Sequence, residues 1–343
     1  MRTIQGDLIT DHGAHPAYLD IDDATVTLHH GTAPGHHPTQ GYILTGIINA
    51  HTHLGDAFIR HRGLTLPPDV KALVAPPDGL KHRLLHTTPS VEITVGMKRT
   101  LTTMLSYGTM AFCDFREGGL PGINQLLAAT EESPVKPLIL SRPQTLTYDN
   151  HEVTTLLRHS HGIGISSITD WPGHDLDDLA AHTHKSGKLF ALHASETTRE
   201  NIDRVLSLEP DFLVHCTTAT PADLKKIADA HIPVVLCPRS YQFFGIHADY
   251  QAFKDSGIHL MLGSDNAMLQ PPNVLDDVKA LRATNIFTIE SLLEMVSVTP
   301  SKELRITDRI QGLNPMEHLV VLRKQSLTPL FISPSQTPGV EQL

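Results

Sequence analysis

Eight short apolar runs recur along this chain, each followed by a polar or helix-like stretch, and that alternation limits the fold more than any other feature. The runs fall at residues 43–49, 110–115, 137–141, 163–168, 189–193, 212–215, 233–237 and 259–264. Helical periodicity occupies residues 91–106, 123–131, 153–158, 176–185, 200–208, 222–230 and 250–255. Near-continuous apolar strands of this length suit a sheet buried on both faces, and parallel neighbours need a crossover, usually a helix. Eight such units predict an α/β chain folded as a closed (β/α)8 barrel, a TIM barrel, over residues 42–309.

In such a barrel the chemistry is built at the carboxyl ends of the strands. The first run leads into Asn49-Ala50-His51-Thr52-His53-Leu54-Gly55-Asp56, the fifth ends at His193, the sixth at His215 and the eighth leads to Asp265. Two histidines two apart on an extended strand point the same way, and neutral imidazole is a good ligand for zinc and related ions. The chain has 23 histidines, so no single one carries weight. A second pair, His182 and His184, lies in a helical stretch where residues two apart face different sides, and reads as solvated surface. What counts is that four strand ends deliver metal-type residues to one rim. A donor set of several nitrogens and one carboxylate suits zinc, the first choice, but also iron, manganese or nickel.

The segments Gly46-Ile47-Ile48-Asn49-Ala50-His51-Thr52-His53, Leu192-His193-Ala194-Ser195-Glu196-Thr197, Val214-His215-Cys216, Cys237-Pro238-Arg239-Ser240 and Leu262-Gly263-Ser264-Asp265-Asn266 follow one another in the chain. In content and order this set resembles the amidohydrolase superfamily, in the branch of cytosine, guanine and adenosine-type deaminases and chlorohydrolases. The resemblance runs from Gly41 to about Pro300. It implies one divalent metal held by His51, His53, His193 and Asp265, with iron the second choice after zinc because some cytosine-deaminase-like enzymes use it. His215 would be a further ligand, or would orient the bound water or polarise the substrate, and Glu196 would be the proton-shuttling carboxylate. The chemistry is sound: a metal lowers the pKa of water and stabilises developing charge, while Asp265 can accept a proton and Glu196 can deliver one to a ring nitrogen or leaving group. Glu196 also fits a first-turn carboxylate of a helix over residues 197–208. Members with two metals usually bridge them with a carboxylated lysine at the end of strand four. Here that end reads Ile165-Ser166-Ser167-Ile168-Thr169-Asp170, so one metal is expected, with Asp114 and Asp170 leaving a weaker second site open. Relatives commonly pair the chain ends into a small β-sandwich. Thr25-Val26-Thr27-Leu28 and Leu319-Val320-Val321-Leu322 predict a reduced version of it from residues 1–41 and 310–343.

Arg142 and Arg239 follow strands three and seven, where either could bind a substrate carboxylate or carbonyl, or could close a rim salt bridge. Tyr241, Phe243 and Phe244 are placed to stack on a planar ring or simply to pack. Residues 64–89, rich in proline and charge, are a candidate lid, and residues 326–343 read as a disordered tail. The expected activity is hydrolytic deamination of a nitrogen heterocycle. The alternatives are hydrolysis of a cyclic amide, amidine or halide-bearing ring at the same site, or a non-catalytic metal-binding protein. A net charge of −10 without a Lys/Arg cluster speaks against nucleic acid as partner and for a small-molecule substrate. No signal-like or membrane-spanning run is apparent, and Cys113, Cys216 and Cys237 read as reduced thiols, so a cytoplasmic location without membrane contact is expected. A homo-oligomer is left open.

Overall fold

The structure is a computed structural model that describes residues 2–22, 25–35 and 39–333. Its strands, in chain order, are β1 (Arg2–Thr10), β2 (Gly13–Ile21), β3 (Val26–His30), β4 (Gly41–Thr45), β5 (Ile47–His53), β6 (Thr109–Arg116), β7 (Lys136–Ser141), β8 (Gly162–Ile165), β9 (Leu189–Ala194), β10 (Phe212–His215), β11 (Val234–Leu236), β12 (Leu260–Leu262), β13 (Asp265–Asn266), β14 (Leu319–Arg323) and β15 (Pro329–Ile332). The segments β5 to β13 form one parallel sheet in the order β12-β11-β10-β9-β8-β7-β6-β5-β13. Every residue of β5 and β6 is buried, as double-sided coverage of a parallel sheet requires.

The last barrel strand closes the ring in two halves. β12 pairs with β11, and β13 pairs with β5 through Asp265↔Thr52 and Asn266↔His53. Between the halves, Gly263 N donates to Leu236 O at 3.0 Å and Ser264 N donates to His51 O at 3.1 Å. The strand therefore steps from one neighbour to the other at Gly263-Ser264, and the eight expected βα units close as a TIM barrel. A Cβ on Gly263 would sit 2.7 Å from His51 Cβ and 2.8 Å from His51 O, so only glycine lets the first and last strands approach this closely.

The chain ends form a separate six-stranded sheet, ordered β15-β14-β4-β1-β2-β3, over its own cluster of Ile4, Leu8, Ala17, Leu19, Ile43, Leu319 and Val321. The single run expected at residues 43–49 is in fact two strands in two sheets, divided at Gly46. That residue has φ +84°, and a Cβ there would lie 2.2 Å from Met110 Sδ. The expected helices appear as Ser90–Ser106, Gly119–Thr130, Asn150–His159, Gly173–Lys185, Ile202–Leu206, Pro221–Asp229 and Tyr250–Ser256. The fifth is shorter than predicted because Glu200 turns back, accepting from Ser195 N at 2.6 Å, Ser167 Oγ at 2.6 Å and Ile168 N at 3.1 Å. Of the tail expected to be disordered, residues 326–333 form a turn and β15, while 334–343 lie outside the described residues. Among the described residues no helix is long and apolar enough to cross a membrane.

Candidate metal centre

At the carboxyl rim, β5 delivers His51 and His53, β9 delivers His193, β10 delivers His215 and β13 delivers Asp265. The Nε2 atoms of His51 and His53 lie 3.2 and 3.3 Å from Nε2 of His193, and 3.4 and 3.7 Å from Asp265 Oδ1. Zinc–nitrogen bonds of about 2.0–2.1 Å place neighbouring nitrogens of a tetrahedral centre about 3.3 Å apart, the spacing these atoms keep. In two of the three rings the opposite atom is used elsewhere: Nδ1 of His193 meets Ile165 O at 2.8 Å, and Nδ1 of His53 meets Phe115 O at 3.1 Å and Glu117 Oε1 at 2.8 Å. Donation from Nδ1 of His53 and His193 leaves their Nε2 lone pairs facing one another, an arrangement that is repulsive without a cation between them. His51, His215 and Asp265 form a second overlapping group of the same kind. The donor set thus fits a divalent metal.

Electrostatics agree. Burial holds His51, His53, His193 and His215 below the usual histidine range, which favours the neutral form that metal ligands require. Burial alone would raise Asp265, but its hydrogen bond to His51 and the neighbouring histidines keep it well below the carboxylate range. Ser240 Oγ donates to its Oδ2 at 2.5 Å, and Asn266 Nδ2 to its Oδ1 at 2.9 Å. Glu196 stands beyond the cluster, with Oε1 3.7 Å from His215 Nε2. Burial, reinforced by Asp265, pushes it up to about 8. It belongs to the turn after β9 and not to a helix, since the next helix begins only at Ile202. Three rim residues adopt left-handed backbone: Ser195 at φ 47°, His215 at 74° and Asp265 at 60°. Such strain clusters where side-chain direction is over-determined by function.

A cavity of about 720 Å³ opens over these residues, lined among others by Glu196, Arg142, Asp170, Lys81 and Ser166. Arg142 faces the cavity, and among the described residues no carboxylate lies within ion-pair distance of its guanidinium. Arg239 does not reach it. Its guanidinium is held by Asp277 Oδ2 at 2.8 and 2.9 Å and by the carbonyls of Pro271 and Asn273, because the helix Val274–Arg282, absent from the sequence reading, packs against the helix Pro238–Phe244 that carries Arg239. Tyr241, Phe243 and Phe244 lie on a helix, Pro238–Phe244, and none lines the cavity. Tyr241 OH lies 3.3 Å from His215 Nδ1 and so orients that ring. Asp114 is committed inward to Thr52 Oγ1 at 2.9 Å and Leu54 N at 2.6 Å, and neither it nor Asp170 joins a metal-competent group among the described residues. The candidate lid contains helices Val70–Leu73 and Leu80–Thr87 and forms one wall of the cavity.

Two residues of the site escaped the sequence reading. Glu117, one position past β6, carries the carboxylate that meets His53, and the strand-end rule extended by one residue would have found it. Lys81 comes from the lid segment, where no periodicity marks it.

Residues 42–314 match the amidohydrolase family. The chain belongs to that family. This amidohydrolase is 30% identical over 287 residues to an uncharacterized protein of Methanocaldococcus jannaschii, covering 78% of this chain and 74% of the relative. It is 34% identical over 235 residues to a protein of Archaeoglobus fulgidus provisionally named an aminohydrolase, covering 67% of this chain and 65% of that one. Among solved structures it superposes on a zinc-bound adenosine deaminase from Xanthomonas campestris with TM-score 0.70. That match covers 99% of this amidohydrolase and 87% of the deaminase at 16% identity, which establishes a shared fold. The chain is accordingly a hydrolase of carbon–nitrogen bonds.

Proposed function

We propose that this amidohydrolase deaminates a nitrogen heterocycle by hydrolysis, with one divalent metal, zinc first and iron second, held by His51, His53, His193 and Asp265. The observation that carries the reading is Glu196, a carboxylate that keeps 19% of its side chain exposed to the cavity while its Oε1 lies 3.7 Å from His215 Nε2 in the histidine–aspartate cluster. A metal held there supplies Lewis-acid chemistry, lowering the pKa of water and stabilising oxyanion charge. Asp265 takes the proton from the attacking water, with Ser240 and Asn266 fixing its carboxylate. Glu196 hands a proton to the ring nitrogen or to the departing amine. His215, steadied by Tyr241, polarises the bond under attack. Arg142, which lines the cavity, binds a carboxylate or carbonyl of the substrate.

Hydrolysis of a cyclic amide, amidine or halide-bearing ring is the second reading. It is favoured by the cavity walls, whose described lining includes no Phe, Tyr or Trp to stack on a purine. Three buried free cysteines fit a reducing, cytoplasmic setting. The test is ammonia release by zinc- or iron-loaded protein across nucleobases, nucleosides, pterins and cyclic amides, alongside metal stoichiometry. Release from one ring class, abolished by Asp265→Asn, is the expected result. Silence with one metal per chain moves the reading to non-deaminating hydrolysis, and silence without metal overturns it.

A further inference from the structure

Lys81 is almost fully buried, at 2% exposure, although it originates in the segment between the first barrel strand and its helix. Its Nζ lies 2.6 Å from Glu117 Oε1, donates to Asn266 Oδ1 at 2.9 Å, and stands 3.7 Å from Asp56 Oδ2. Each of the first two contacts leads to a residue of the metal cluster. Glu117 meets His53 Nδ1 at 2.8 Å, and Asn266 donates to Asp265 at 2.9 Å. A lysine carries about 2 kcal/mol of rotamer entropy and a large desolvation cost, so burying one on a surface excursion requires compensating partners. Here those partners are the two groups that orient a histidine and the aspartate of the cluster.

We infer that Lys81 is a positioning residue that pins residues 64–89 over the cavity and, through Glu117 and Asn266, sets the directions of His53 and Asp265. Cover and metal cluster then form one unit: a correctly placed cover tightens metal binding, and bound metal holds the cover in place. The reciprocity is thermodynamically required once the two are coupled. The inference rests on the metal-centre reading above, but its readouts need no substrate.

The experiment measures zinc affinity by chelator competition and limited proteolysis within residues 64–89, using wild type, Lys81→Met, Glu117→Gln and the double variant, with thermal melting as the check on folding. Removing an outer partner of a metal ligand weakens binding roughly 10–100-fold, so Lys81→Met, one contact further out, is expected at about tenfold. That loss shrinks in the Glu117→Gln background, because the shorter route to the cluster is already cut. Zinc slows cleavage of residues 64–89 in wild type and fails to do so in Lys81→Met, which a purely structural lysine would not bring about. Should Lys81→Met fail to fold, Lys81→Gln carries the same measurements. Zinc affinity within twofold of wild type, or the same loss with and without Glu117, overturns the inference while leaving the hydrolase reading intact. A wild type that binds no zinc or iron overturns both.

Discussion

Gly263→Ala is the smallest change that should separate barrel closure from an intact core. The added methyl would lie 2.7 Å from His51 Cβ, 2.8 Å from its O and 2.9 Å from its N, against ordinary contact beginning near 3.4 Å. The last strand must therefore retreat from the first by about 0.5–0.7 Å, and the atoms in the way are mostly backbone, which cannot rotate aside. Overpacking of this kind costs roughly 1–3 kcal/mol. The retreat stretches the Ser264 N to His51 O bond, now 3.1 Å, and carries Asp265 away from His51 Nε2, now 3.4 Å. Metal constellations tolerate about 0.5 Å of misplacement, so zinc affinity should fall about tenfold or more, and turnover by up to about a hundredfold. Chelator competition and thermal melting on purified protein measure both effects. A variant that melts like wild type and binds zinc equally well would refute the claim that the seam at Gly263 fixes the metal cluster.

Glu196→Gln keeps shape and hydrogen bonding but removes the proton; turnover should fall about 10²–10⁴-fold with zinc stoichiometry unchanged. Arg142→Ala should raise KM for the active substrate with little change in melting. Arg239→Ala should do the reverse, because it strands the fully buried Asp277 and costs roughly 3 kcal/mol. Steady-state kinetics and melting curves on the pair distinguish the two arginines. Asp223 is held well below the carboxylate range by its hydrogen bonds to Arg199 at 2.6 and 2.9 Å and by the Thr220 cap. A carboxylate lowered by folding adds stability that is present above its unfolded pKa of about 3.9 and is lost as pH falls through the lower folded value. Asp223→Asn should therefore destabilise at pH 7 and flatten the acid side of the melting profile; an unchanged slope below pH 4 would contradict it.

The barrel was legible because parallel strands buried on both faces leave uninterrupted apolar runs, and because rim chemistry follows those runs directly, as at His193 and His215. Three things were not. The run at residues 43–49 belongs to two sheets, and periodicity cannot see the turn at Gly46, which depends on the room left by Met110. Arg239 and Arg142 look alike in sequence; only the packing of the helix Val274–Arg282 decides that one is occupied and the other free. Lys81 is invisible because its burial comes from partners 36 and 185 positions away, Glu117 and Asn266, and not from its own neighbours.

The seam where the first barrel strand meets the last also governs when the site can exist. His51 and Asp265 come from opposite ends of the barrel sequence, and the contacts that join those strands, such as Asn49 with Ser264, span 215 residues. Non-local pairings of this length form late, since a long loop must close before any contact rewards it. A growing or truncated chain that ends before strand eight therefore lacks the aspartate altogether and cannot complete the cluster. On the proposed reading, metal captured afterwards would bind only the folded form and would add stability as RT ln(1 + [metal]/Kd). Such an ion would work as a clasp across the one junction of the ring that chain connectivity does not hold, and its removal should loosen the barrel first along β5 and β13.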